Sequence, residues 1–320
     1  MASDPIPTYA QLPEGPAGGR LGWHVFGKDD QRGTINLLTE DSVAYAVTLV
    51  QRGTTFSLDY PLGTFDPPLN PNRGNVRHRV FRQPGGIGHD DVVNNHYPQA
   101  GSQWDSLAHI GYTREHYYNS ASVDDIESGR RNSIQNWART GIAGRGVVLD
   151  IPSTKARNHE PYDPGSSSEL TVEDLEAARI RADVEYRGGD ILVLNTGFSE
   201  WYLSLSQENR KSVSGSLRAP GLAHQESVCE YLWDNRIAAV VTDTFAVEAW
   251  PADMAVSAQP FGFIHQMLIG SLGIALGELW KLSDLVDDCR RTGVFEGLLV
   301  ASPTDIPGGI SSSANALFFK

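Results

Sequence analysis

Cysteine is nearly absent from this chain: Cys229 and Cys289 are the two in 320 residues. That excludes a disulfide framework and a cysteine-rich zinc site. Long apolar runs are missing too, and none approaches the roughly 20 residues of a membrane span. The stretch from Met1 to Pro7 has no basic segment leading into an apolar one, so no secretory signal is expected. No Asn-x-Ser/Thr sequon occurs. Clusters of Lys and Arg are lacking and the formal net charge is −13, which argues against nucleic acid as a partner. Several catalytic signatures are absent as well. There is no Gly-x-Ser-x-Gly elbow, no Walker loop, no dinucleotide fingerprint and no His-Glu-x-x-His. His224-Gln225-Glu226 imitates the start of a zinc-deaminase motif, but the required cysteine pair does not follow. What remains is a cytoplasmic enzyme or binding protein that acts on a small molecule, away from membranes.

The most informative stretch is Gln99 to His109, which reads Gln-Ala-Gly-Ser-Gln-Trp-Asp-Ser-Leu-Ala-His. Gln99, Gln103, Asp105 and His109 form a polar cluster able to meet a metal. The spacing of four between Asp105 and His109 predicts one turn of helix with both side chains on one face. Such a pair can share a metal, or the carboxylate can hold it while the imidazole moves protons. The plain alternative is a structural hydrogen bond.

Around this stretch the chain predicts alternating strands and helices. Residues 1–35, rich in Pro and Gly, read as an irregular arm, and 36–320 as a single domain. A helix is expected from Thr39 to Val50, closing at Gly53, and a short strand over Thr54–Leu58. Pro61–Gly88 reads as one long loop, a type that is often functional. The apolar runs Arg145–Ile151, Gly188–Gly197 and Ile237–Thr244 read as buried strands. Between them, helices open at Thr171 and Ser227. Continuous apolar strands alternating with helices predict at least partly parallel pairing. His265–Leu285 is the longest apolar segment, and Val294–Ser302 and Ala314–Phe319 are further strands.

Laid in order, these pieces resemble the metal-dependent cyclase family, which includes bacterial kynurenine formamidase and isatin hydrolase. The family motif His-x-Gly-Thr-His-x-Asp-x-Pro-x-His falls on residues 99–109. Gln99 and Gln103 stand at its two leading histidines, Ser102 at its Thr and Leu107 at its Pro, while Asp105 and His109 match. Gly144–Asp150 is similar to the family's Gly-Arg-Gly-Val-Leu-Leu-Asp strand, and Gly189–Gly197 to its Gly-Asp-x-Val-Leu-x-x-Thr-Gly segment. Pro220-Gly221-Leu222, the strand ending at Asp243-Thr244, and His265 with Glu278 complete the series.

The resemblance implies a swivelling β/β/α fold: a mixed sheet flanked by helices. It implies metal ligands at Gln99, Gln103, Asp105, His265 and Glu278 and a catalytic histidine at His109. It also implies a homodimer or homotetramer in which a loop, here Pro61–Gly88, closes a neighbour's site. An amide oxygen is a weaker, harder donor than imidazole, so the two glutamines shift the donor set toward oxygen and favour Mn over Zn. His89, Asp90 and Asp91 offer replacement ligands or substrate contacts, and Trp104 a wall for an aromatic substrate. The implied activity is metal-dependent hydrolysis of an amide or lactone with His109 as base. A lyase working through an enolate, or a non-catalytic ligand-binding member, are the alternatives.

Overall fold

Val147–Leu149, Ile191–Leu194 and Ala238–Val241 are apolar on both alternating faces, the pattern of strands covered from two sides. In the computed structural model, which describes residues 6–320, all of these but Ala238 lie in the strands Ile142–Asp150, Ile191–Asn195 and Ala239–Thr242. With Ala275–Glu278 these pair in parallel at the centre of a nine-stranded mixed sheet. Beyond Ala275–Glu278 come Gln103–Asp105 and then the edge strand Ser311–Ser313, both antiparallel. On the other side Glu296–Ala301, Ala316–Phe319 and the edge strand Thr55–Ser57 follow, also antiparallel.

The chain runs from Ser313, on one edge, to Ala316, in the strand beside the opposite edge, across Ala314 and Asn315 alone. Successive Cα atoms are about 3.8 Å apart. Two residues can therefore join these strands only because the sheet curls until its edges nearly meet.

The predicted helices flank this sheet. Val172–Ala182 opens with Thr171 and Asp174 in a capping box, a device worth about 1 kcal/mol. It buries Leu175, Ala178 and Ala182, three and four residues apart. Thr39 caps Glu40–Thr48 by accepting a bond from the Ser42 amide. Cys229 is buried in the helix Glu226–Asp234. Pro7 and Tyr9, ahead of the irregular stretch that follows, are docked on that helix. The Tyr9 amide donates to Asp234 Oδ1 at 2.6 Å, and Trp233 Nε1 donates to the Pro7 carbonyl at 3.0 Å. Among the described residues no helix is long and apolar enough to cross a membrane.

One reading needs correction. The stretch 61–88 is not one loop, because Arg77–Arg82 pairs antiparallel with His89–Asn94 as a separate two-stranded ribbon. Neither strand has a buried face, so no period-two apolar pattern marks it. The apolar segment 265–285 is three elements: a π-helix at Gln266–Ser271, the strand Ala275–Glu278 and the start of the helix Ser283–Thr292. Gly270 lets the first of these press on the chain at Tyr112, where a Cβ would stand 2.1 Å from the amide nitrogen.

A second apolar cluster lies beside the main core. Phe65 and Leu69 from the 61–76 loop insert among Phe198, Tyr202, Leu217, Phe245 and Leu279. Burying an aromatic or leucine side chain contributes roughly 1.5–3 kcal/mol, enough to fix this part of the loop against the body.

Candidate metal centre

The pairing of two short strands builds the site. In the antiparallel register Gln103 lies opposite Glu278, and Asp105 lies opposite Leu276. Alternation along the strand puts Gln103 and Asp105 on one face and Trp104 on the other. Gln103 Nε2 donates to Glu278 Oε2 at 2.6 Å and reaches Asp105 Oδ2 at 3.3 Å. His265, just ahead of the π-helix, brings Nε2 to 3.1 Å from Glu278 Oε1. One ligand atom each from Asp105, His265 and Glu278 fall within 4.8 Å of one another, and all three residues are buried.

Glu248, fully buried, fixes His265. Its carboxylate accepts from the His265 amide at 2.9 Å and pairs with Nδ1 at 2.7 Å, while Phe263 stacks on the imidazole at 4.8 Å. A carboxylate on Nδ1 sets the tautomer and leaves Nε2 facing the other ligands. Gly221 permits the packing behind it: a Cβ there would lie 2.2 Å from the carbonyl carbon of Glu248.

The electrostatics of this donor set fit a divalent cation. Asp105 Oδ1 and Gln103 Oε1 are buried acceptors without a hydrogen-bond partner, and unanswered buried polar atoms are costly. Burial and then the charge of Glu278 raise the Asp105 carboxyl well above the usual carboxylate range. Burial opposes charge on His265, yet Glu248 and Glu278 outweigh it and hold its pKa well above the ordinary imidazole value. Two carboxylates, an imidazole and orphaned oxygens are hard and borderline donors of the kind Mn²⁺ and Zn²⁺ accept.

Gln99 and His109 stand at the rim. His109 Nε2 is 3.8 Å from Asp105 Oδ1, and Gln99 Nε2 is 3.5 Å from His109 Nδ1. The helical reading of this pair is overturned. Gln103–Asp105 is a strand, and a turn closed by the His109 amide on the Ser106 carbonyl follows it. The turn, rather than a helix face, returns His109 toward Asp105. Burial first, then repulsion from His265 and Arg73, push His109 down to about 3. The imidazole is therefore neutral at pH 7.

Other expected contributors lie elsewhere. His89 and Asp90 are on the exposed ribbon, where Asp90 accepts from Gln83 and Asp91 pairs with His78; none of the three is brought to the triad. Trp104 is wholly buried, edge-on to Trp137 and Trp280, and does not line the 570 Å³ cavity described below. Asp243 binds the Thr196 amide and hydroxyl, a structural role. Glu248 escaped the sequence reading, although an acid inside Phe245–Trp250 is a visible signal of a satisfied buried charge. Arg73 escaped it as well, and a cation in a Pro- and Gly-rich loop gives no signal. Its guanidinium donates to the Gln99 carbonyl. A cavity of about 570 Å³ adjoins this contact, lined by Gly74 and Asn75 on one side and Pro98, Ala100 and His96 on the other.

Comparison with known proteins identifies the family and the fold. The family described as "Putative cyclase" matches residues 47–249. A solved structure described as a novel cyclase is 30% identical with a TM-score of 0.82, covering 94% of this chain and 99% of its own. Isatin hydrolase A from Labrenzia aggregata, bound to benzyl benzoate, is 18% identical with a TM-score of 0.56, over 83% of this chain and 93% of its own. An isatin hydrolase bound to the product analogue thioisatinate is 14% identical with a TM-score of 0.58, over 88% and 99%. No curated protein sequence matches.

Proposed function

The chain belongs to the cyclase family, and from that premise we propose that it is a metal-dependent hydrolase of an amide or lactone bond in a small molecule. The observation that carries the reading is the buried Asp105–His265–Glu278 cluster, in which Asp105 Oδ1 and the adjoining Gln103 Oε1 are orphaned acceptors. These three residues are the ligands, with Gln103 Oε1 as a fourth donor and Gln99 at the rim; the ion is Mn or Zn. When bound, it supplies Lewis acidity, making water a better nucleophile and polarising a carbonyl oxygen.

The chain's own groups do the rest. Glu248 keeps the His265 Nε2 lone pair directed at the ligand cluster. Gln103 holds the two carboxylates at one spacing. His109, neutral at pH 7, takes the proton of the attacking water and returns it to the leaving nitrogen or oxygen. The hydrolytic chemistry in the names of the structurally similar isatin hydrolases supports this choice over enolate chemistry. Assembly as a homodimer or homotetramer belongs to the same proposal, supported by the exposed Val80, Phe81 and Ile87 of the ribbon region. Light scattering reads it.

The test is elemental analysis of protein purified without chelator, beside Asp105→Ala and His265→Ala. About one Mn or Zn per chain, lost in both variants, is expected. Amides and lactones are then turned over in ¹⁸O-water, and the label should enter the product. A wild type that holds no metal and gains no thermal stability from Mn²⁺ or Zn²⁺ would end the proposal, as would turnover without label.

A further inference from the structure

Arg73 is held in place from both directions. Upstream, Phe65 and Leu69 are buried, the Tyr202 hydroxyl donates to the Pro67 carbonyl at 3.3 Å, and the Ser214 hydroxyl donates to the Pro68 carbonyl at 2.8 Å. The Arg73 amide then closes a turn on the Asn70 carbonyl at 3.0 Å. Downstream, its guanidinium donates to the Gln99 carbonyl, and the Gln99 side chain lies against His109. The residues next to each partner, Gly74 and Asn75 on one side and Pro98 and Ala100 on the other, line the 570 Å³ cavity. The chain on both sides of the Arg73–Gln99 contact thus lines the cavity, and Gln99 itself reaches the rim of the ligand cluster.

A guanidinium has five N–H donors, and the Gln99 carbonyl answers only part of that capacity. Among the described residues no carboxylate lies within 4.0 Å of Arg73, whereas Arg52, Arg145, Arg179 and Arg290 each have at least one. Holding a loop to a backbone carbonyl requires only a neutral donor. A half-buried planar cation with open N–H groups, flanked in the chain by cavity-lining residues and bonded to the residue whose side chain lies against His109, can pair with a carboxylate through two parallel bonds.

We propose that Arg73 is the specificity-determining residue of this site, and that the substrates are small organic acids whose carboxylate it receives. The inference rests on the proposed function only in taking the ligand cluster as the place where a small molecule is bound. Gln99, through its contact with Arg73, couples the seated anion to the position of His109.

The experiment is a binding measurement, so it is independent of turnover. Benzoate and its neutral isostere benzamide are titrated calorimetrically into the metal-loaded wild type, Arg73→Gln and Arg73→Lys, with metal content and melting temperature recorded for each. The wild type should prefer benzoate by at least about tenfold, the ordinary weight of a charge-assisted pair. Arg73→Gln should bring the preference close to one with metal content unchanged, and Arg73→Lys should lose several-fold because the planar fork is gone. A preference that survives intact in Arg73→Gln would assign the anion to the metal and overturn the inference. So would a wild type that binds the two probes equally. Should Arg73→Gln fail to fold, an undiminished preference in Arg73→Lys overturns it in the same way. A protein that hydrolyses nothing can still show the Arg73-dependent preference, so failure of the hydrolase reading is seen separately.

Discussion

Two buried acids in this molecule sit at the ends of strands in one sheet, in opposite circumstances. Asp150, 2% exposed, receives Arg290 Nε at 2.8 Å, Arg290 Nη2 at 3.0 Å and Asn195 Nδ2 at 3.0 Å, with Arg181 at 3.7 Å. Its charge is answered by the chain itself. Asp105, wholly buried, has Glu278 as a neighbour, one weak amide contact from Gln103, and an Oδ1 with no hydrogen-bond partner. Two carboxylates without an adjacent Arg or Lys in the ligand cluster are a poor way to stabilise a fold, since a buried charge needs pairing and full hydrogen bonding. Burial alone therefore does not mark function. Burial with a carboxylate oxygen left unanswered does.

Substitution separates the two sites most sharply. Asp105→Ala should abolish metal retention and turnover together and leave a protein that still melts cooperatively. Asp150→Asn should keep the metal and lose stability, by roughly 3 kcal/mol if breaking a buried pair costs its usual amount. Elemental analysis and denaturant melts on the same preparations read both. Equal behaviour of the two variants would dissolve the comparison. The next largest effect falls on His109. Its removal as His109→Ala should lower kcat by about 10²–10⁴-fold, the range of general-base catalysis, with metal content unchanged. Full activity in that variant would move the proton-transfer role to another group.

How far the sequence reached differs between the same two regions. The buried parallel strands were legible because Val147–Leu149, Ile191–Leu194 and Ala238–Val241 are continuous apolar runs, and burial on both faces requires just that. The pairing of Asp105 with Glu278 was legible only through resemblance. The two lie 173 positions apart, and their meeting depends on antiparallel register between a three-residue and a four-residue strand. Local spacing misled at His109, since four residues place side chains together on a helix but also across a strand followed by a turn. The ribbon Arg77–Arg82/His89–Asn94 is invisible because an exposed ribbon leaves no apolar period, and His89 and Asp90 suggest themselves only by donor chemistry and nearness in the chain to residues 99–109. Trp104 was misplaced for a related reason: the pleat that aims Gln103 and Asp105 at the ligand cluster sends the residue between them into the core.

Glu248 tests a finer feature of the comparison, the difference between holding a charge and aiming a ligand. It touches His265 through two atoms and is not in the ligand cluster. Glu248→Gln keeps a hydrogen-bond acceptor for the imidazole and removes the charge. Metal affinity should weaken about 10–100-fold, as is typical when a carboxylate behind a ligating histidine is lost, and a competition titration against a chelator measures it. Unchanged affinity would make Glu248 a packing residue like Asp243.

The smallest expected effect is on stability against pH. His109, with 21% of its side chain exposed, is depressed to about 3 in the folded chain, against about 6.5 when unfolded. Between those values the unfolded chain binds more protons than the folded one, so this residue makes stability rise with pH across the window and reach its full value above 6.5. Asp243 works the other way: burial raises it to about 6 despite its bonds from Thr196 and Ser199, so its contribution falls as pH climbs from about 3.8 to 6. With chelator present to remove metal release from the balance, His109→Gln should flatten the acid side of the stability profile and leave the plateau above 6.5 in shape. Superimposable profiles for wild type and variant would mean that water solvates His109 in the folded protein, and its neutral state at pH 7 would then owe nothing to the site.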